Sequence, residues 1–322
     1  MVTAQAKNIK IIYMGTPDFA VAPLKLLVEN GYNIAAVVTV PDKPSGRGQK
    51  LQQSAVKIYA QTANLPVLQP QRLRDEEFLN TLRNYSAELF IVAAFRMLPE
   101  TVWQMPPLGT FNLHASLLPQ YRGAAPINRA IINGEKITGV TTFFINKEID
   151  SGKIIFSEKV EITHNDNAGT LHNKLMKTGA ELVIKTVDAI ASKNIILQSQ
   201  HESEHLKTAP KIFKEMCKIN WAQNPEEIYN FIRGLSPYPA AWCEFTGKDK
   251  QTVSAKIYTA AYENIKHDLP LGTIKSDGKT FFKVACSGGF VNITDIHLAG
   301  KKRLHVREFL AGFRDIENYL IQ

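Results

Sequence analysis

Two polar residues, Asn112 and His114, interrupt the apolar stretch Phe111-Asn112-Leu113-His114-Ala115. In an extended strand, residues two apart share a face, so the amide and the imidazole would project together. An amide N–H can hold a developing oxyanion, and an imidazole can give or take a proton. The same pair could instead tie down the following loop through hydrogen bonds, and the pattern alone leaves both readings open. Asp150, in Glu148-Ile149-Asp150-Ser151-Gly152, divides in the same way. It is either a turn former ahead of Ser-Gly or a carboxylate that raises the pKa of a nearby histidine and helps deprotonate an incoming nucleophile.

Such side chains need a frame. Ile11 to Met14 is an apolar run ending at Gly15. Thr16 is expected to cap the helix that follows, with Pro17 in its first turn and Phe19, Leu24, Leu26 and Leu27 on its apolar face. Ile34 to Val40, Leu89 to Ala94 and Gly109 to Leu113 read as further strands. Strands alternating with helical segments predict a parallel sheet with helices on both faces. If the strand bearing Asn112 and His114 ends at the carboxyl edge, both face the crevice where open α/β sheets bind ligands. The first turn is not G-x-G-x-x-G, so a dinucleotide site has no support. Near residue 200 the pattern changes. Ser199 to Pro210 is polar and reads as a linker. Asn224-Pro225-Glu226-Glu227 then makes a helix start, with Ile228, Phe231, Ile232 and Leu235 supplying the face. Alternating segments such as Val291-Asn292-Ile293-Thr294 predict a small β-rich second domain, a barrel or a sandwich.

The 322 residues suggest two domains at roughly 150 residues each. The longest apolar stretch, Leu89 to Phe95, is too short to span a bilayer. The start MVTAQAKNIK has no apolar signal region. Three widely spaced cysteines fit neither a disulfide framework nor a zinc knuckle, which points to a reducing cytoplasm. Nothing demands an oligomer, and a monomer is expected. The net charge is +8, which serves either solubility or a polyanionic partner such as nucleic acid. Residues 1–207 hold 22 Lys and Arg against 18 Asp and Glu, and 208–322 hold 16 against 12, so the shorter part carries its +4 more densely. His201-Glu202-Ser203-Glu204-His205 satisfies H-E-x-x-H. That motif needs a helix to bring both histidines to one face. Here it sits in the polar segment with no third ligand, so it reads as a chance match, and no metal is expected.

The run Asn112-x-His114-x-Ser116-Leu117-Leu118-Pro119, then Arg122-Gly123, then Asp150-x-Gly152, resembles the signature of the folate-dependent formyltransferases. Gly15-Thr16-Pro17-Asp18-Phe19, Pro41-Asp42-Lys43-Pro44-x-Gly46-Arg47-Gly48 and Gly123-Ala124-Ala125-Pro126-Ile127 extend the resemblance over nearly the whole chain, and the first two are more specific to the branch acting on tRNA. It implies a Rossmann-like catalytic domain over residues 1–200, a linker over 201–210 and an OB-fold-like, tRNA-binding domain over 211–322. The implied reaction moves a formyl group from 10-formyltetrahydrofolate to the α-amino group of methionine on initiator tRNA. A sugar amine or amino-nucleotide is the alternative acceptor. Asn112, His114 and Asp150 would be catalytic. Ser116, Leu117, Leu118 and Pro119 would bind the folate, with Phe95 to Pro99 as another wall. Arg96 stands where the tRNA branch more commonly has glycine. Arg47, in the loop Pro41 to Leu51, and Lys211 would contact the RNA.

Overall fold

The computed structural model describes residues 4–45, 50–201, 205–247 and 250–322. The chain folds as two compact units. One comprises Met1–Gly123, Ile137–Glu161 and His172–Thr208, and the other Ala124–Lys136, Ile162–Leu171 and Ala209–Gln322.

The first unit is built on a seven-stranded sheet. Its strands are β1 (Ile11–Gly15), β2 (Ile34–Val38), β3 (Val67–Leu68), β4 (Leu89–Ala93), β5 (Thr110–His114), β6 (Ile137–Phe144) and β7 (Ile154–Glu161). They lie in the order β7-β6-β5-β4-β1-β2-β3. From β5 to β3 the pairing is parallel; β6 and β7 add antiparallel strands at one edge. The sheet is therefore Rossmann-like and mostly parallel, as the alternation predicts. β1 and β4 are buried along their whole length, because a parallel sheet is covered on both faces. On one face Ile12, Met14, Ala36, Val38, Phe90 and Val92 pack with Leu79, Leu82 and Val102. On the other, Leu113 meets Gly179 of the long helix Ala168–Ala191 and Thr142 bonds Thr186 at 2.8 Å. The chain changes direction across the sheet between β1 and β4, so their carboxyl ends form the crevice where such sheets hold ligands.

One local expectation is corrected here. Thr16 caps no helix. Pro17 occupies the N-cap of a short 3-10 turn, Asp18–Ala20, without a side-chain cap bond, and the Thr16 hydroxyl is buried without a hydrogen-bond partner among the described residues. Packing fixes this turn instead. Tyr13 Oη donates to the Ala20 carbonyl at 2.6 Å, and Ala20 lies so close that a Cβ on Gly15 would stand 2.6 Å from its own. The clear capping serine is Ser54, whose oxygen accepts from Lys57 N at 3.0 Å at the head of helix Ala55–Thr62.

In the second unit, strands β8 (Ala241–Thr246), β9 (Thr252–Glu263), β10 (Ile274–Ser276), β11 (Phe282–Cys286), β12 (Gly289–Leu298), β13 (Arg303–His305) and β14 (Leu320–Ile321) form an antiparallel sheet in the order β10-β11-β12-β9-β8-β14, with β13 beside β12. A bridge between Thr273 and Leu320 brings its two edges together. The result is a barrel-like, OB-fold-like sheet around Phe245, Ile257, Phe282, Val291 and Ile293. Alternating burial along β8 is the period-2 pattern of a sheet with one wet face. Helix Pro225–Leu235 begins with a complete capping box between Asn224 and Glu227. Its Gly234 lies against Ile132 of helix Pro126–Ile132, so that segment packs with the second unit rather than with its sequence neighbours.

Candidate active site

Asn112 and His114 lie on β5, both on the face opposite Leu113, and His114 is the strand's last residue. Register sets Asn112 level with Val92 of β4 and Phe143 of β6, and His114 level with Thr141. The Asn112 amide is only partly buried, and no hydrogen bond holds it among the described residues. Its N–H groups are free to meet a ligand. His114 is 7% exposed, and its Nε2 lies 2.9 Å from the Tyr121 carbonyl oxygen. A carbonyl only accepts, so Nε2 carries the hydrogen and Nδ1 is the nitrogen left for proton exchange. Nδ1 faces Asp150 Oδ2 at 3.8 Å. That is ion-pair range but too long for a direct hydrogen bond, so a water or amine bridging the two would approach from the side.

Asp150 is held from several directions. Its Oδ2 accepts from Gly123 N at 2.9 Å. Its backbone has φ +51°, a left-handed conformation that costs a non-glycine residue free energy and persists where neighbours over-determine it. Gln200 supplies that restraint: its amide donates to the Asp150 carbonyl at 2.9 Å and to the Gly152 carbonyl at 2.8 Å. Arg122 in turn donates to Gln200 Oε1 at 3.1 and 2.7 Å. Gly152 permits the close return of the chain, since a Cβ there would lie 1.6 Å from the Phe144 carbonyl oxygen. Gln200 was invisible to sequence reasoning, because one polar residue within a polar segment carries no pattern. The Asp150-x-Gly152 spacing was visible, yet it gave no hint of the brace.

The loop after β5 bends over the same face. Ser116 donates to the Gln120 carbonyl at 2.6 Å and is fully buried. Thr141 of β6 donates to the Ser116 carbonyl at 2.7 Å and lies 3.2 Å from Leu118 N. Leu118 packs on Phe143 and Ile154. Ser116 to Pro119 thus borders the β6 side of Asn112 and His114, with Leu117 and Pro119 partly exposed, apolar surface of the kind a flat heteroaromatic ligand needs. Thr141 is a second residue that sequence reasoning missed. Arg96 turns away from this loop: its guanidinium donates to the carbonyls of Gln71 at 2.9 Å and Pro70 at 2.5 Å and lies over the Phe95 ring. Burial holds its pKa below the ordinary value.

Arg47 lies outside the described residues. Its loop is flanked by an antiparallel pair, Lys43–Ser45 with Lys50–Gln52. At the base of that pair Asp42 meets Lys57 Nζ at 2.6 Å and Gln69 Nε2 at 2.8 Å. Lys211 is exposed in the second unit, with its ammonium 5.3 Å from the Phe213 ring centre. His201 and His205 flank residues 202–204, which lie outside the described residues. No group of three or more potential metal ligands occurs among the described residues. None of the described helices is long and apolar enough to cross a membrane.

Family models bear on this arrangement. The formyl transferase model matches residues 7–187, and the formyl transferase C-terminal domain model matches 211–314. The chain is 53% identical to the methionyl-tRNA formyltransferase of Bacteroides thetaiotaomicron over 316 residues, 97% of this chain and 98% of that one. It is 51% identical to the enzyme of that name from Flavobacterium johnsoniae, over 95% of this chain and 96% of that one. Among solved structures, the fold matches WlaRD, a sugar 3N-formyl transferase crystallised with dTDP and 5-N-formyl-THF (TM-score 0.64, 21% identity, 91% of this chain and 99% of that one). HypX from Aquifex aeolicus, in complex with tetrahydrofolic acid, matches with a TM-score of 0.61 at 16% identity, over 94% of this chain and 47% of that one. With both halves matched and half of its residues shared with full-length relatives, the chain belongs to the formyltransferase family, and within it to the methionyl-tRNA formyltransferases.

Proposed function

We propose that the protein transfers a formyl group from 10-formyltetrahydrofolate to the α-amino group of methionyl initiator tRNA, at Asn112, His114 and Asp150. The observation that carries this reading is the Asn112 amide, unpaired among the described residues, beside a buried His114 whose one available nitrogen faces Asp150 across 3.8 Å. The neutral amine attacks the formyl carbon and makes a tetrahedral intermediate. Asn112 donates to its oxyanion, assisted by His114 in its protonated form. Asp150 orients His114 and takes the amine's proton, directly or through a bridging water, and the folate nitrogen leaves protonated. Ser116, Leu117, Leu118 and Pro119 line the donor's slot. Residues 1–200 act as the catalytic domain and 201–210 as linker. The basic domain 211–322 engages the RNA with Lys211, and the loop after Asp42 engages it with Arg47. A translation-initiation substrate makes the cytoplasm the site of action.

Incubating the purified protein with 10-formyltetrahydrofolate and methionyl-tRNA, charged on initiator or elongator tRNA, tests the reading. Formylation of the initiator species is expected. Formylation of an amino sugar nucleotide with inert methionyl-tRNA would move the acceptor to the sugar class.

A further inference from the structure

We infer that the Thr16 hydroxyl is a substrate-binding group that donates a hydrogen bond to the aminoacyl ester carbonyl of the acceptor; this deepens the proposed reading and rests on it. Thr16 follows β1 at the point where the sheet changes winding direction. Its hydroxyl is buried and has no hydrogen-bond partner among the described residues. A buried polar group left unpaired costs free energy, so native chains retain few of them. A hydroxyl at a ligand-binding edge is satisfied when the ligand arrives.

Register puts this hydroxyl on the face of the catalytic pair. Met14 is level with Val92, and Val92 with Asn112, and side chains at paired positions of parallel strands point the same way. Two residues beyond Met14, Thr16 continues that face at the carboxyl edge, as His114 does two residues beyond Asn112. The backbone around it is pinned. Its carbonyl accepts from Val56 N, Gly15 is wedged against Ala20, and Tyr13 Oη binds the Ala20 carbonyl.

The side of approach identifies the ligand. Two substrates must meet at Asn112 and His114. The slot assigned to the donor, Ser116 to Pro119, is tied to β6 by Thr141 and packs on Phe143 and Ile154. With Phe95 to Pro99, which follows β4, as the slot's other wall, the β1 side of the same face is left for the acceptor. β1 and β5 are two strand spacings apart, about 10 Å, which an aminoacyl ester with its side chain can bridge. The one hydrogen-bond acceptor that every such ester carries next to its reacting amine is the ester carbonyl.

Thr16→Val keeps the shape and removes the hydroxyl, and Thr16→Ser keeps the hydroxyl. Steady-state kinetics of both variants against wild type, varying each substrate separately, and their melting temperatures form the test. Thr16→Val is expected to lower kcat/KM for methionyl-tRNA about tenfold, the worth of one hydrogen bond. KM for 10-formyltetrahydrofolate should stay unchanged, and Tm should equal or exceed that of wild type, because an unpaired buried hydroxyl is removed. Thr16→Ser should restore most of the acceptor kcat/KM. Wild-type acceptor kinetics in Thr16→Val, a loss that falls on the donor KM, or a fall in Tm with equal damage to both substrates would each overturn the inference. A wild-type protein inert toward methionyl-tRNA would overturn the underlying reading, and this inference with it.

Discussion

The decisive residue-level fact is the difference between two neighbours on β5: His114 has its Nε2 engaged by a backbone carbonyl, while the Asn112 amide has no hydrogen bond among the described residues. A donor that stabilises an oxyanion must not already be bonded in the resting protein, and Asn112 meets that condition. Removing one such donor typically lowers turnover by roughly 10² to 10³. Asn112→Ala should therefore reduce kcat by that factor while folate affinity, read by ligand-induced fluorescence quenching, stays near wild type. Turnover within a few-fold of wild type would refute the role.

At the level of elements, strand β6 supports the loop it faces. Thr141 ties down both the Ser116 carbonyl and Leu118 N from a fully buried position. Thr141→Val keeps the volume but leaves the Ser116 carbonyl unpaired, at a cost of about 1–3 kcal/mol in denaturant-derived stability. The loop it frees borders the donor slot, so KM for the donor should rise more than KM for the acceptor. A stability loss without that preference would reduce Thr141 to a structural residue. The paired segments Lys43–Ser45 and Lys50–Gln52 rest on Asp42, whose carboxyl is held below the ordinary carboxylate range by hydrogen bonds from Lys57 and then Gln69. A depressed folded-state pKa contributes stability that is present above the unfolded value, about 3.9, and fades as pH falls below it toward the folded value. Melting curves from pH 6 to pH 3 should show a steeper acid decline for wild type than for Asp42→Asn, the two converging below about pH 4. Parallel curves would mean that the pair contributes nothing to folding.

For the whole molecule, the relevant quantity is the distribution of charge. The part from residue 208 onward carries +4 on 115 residues, against +4 on the 207 before it. A protein that neutralises RNA phosphates releases counterions, so its affinity falls linearly with salt on logarithmic axes. Binding of uncharged initiator tRNA, measured by filter retention between about 50 and 200 mM salt, should weaken steeply. Lys211→Ala should reduce the slope by about one, the signature of a single lost phosphate contact. An unchanged slope would remove Lys211 from the interface.

The sequence by itself determined the repeating patterns: the buried strands of the parallel sheet, the Asn224 capping box, the β-rich second unit, and the i,i+2 placement of Asn112 and His114. Each follows from local periodicity or capping chemistry, which depends on neighbours within one turn or strand. It also carried the family motifs, and with them the candidates Asp150 and Ser116 to Pro119. Only the tertiary structure decided what those motifs rest on. Gln200 reaches Asp150 across 50 residues and Thr141 reaches Ser116 across 25, through single hydrogen bonds with no periodic trace. Thr16 looked like a cap because capping is the local use of a threonine. In the folded chain, packing of Gly15 against Ala20 sets the turn instead and leaves that hydroxyl without a partner among the described residues. Packing at the buried carboxyl end of β1 overruled the local preference for one cap bond, worth about 1 kcal/mol.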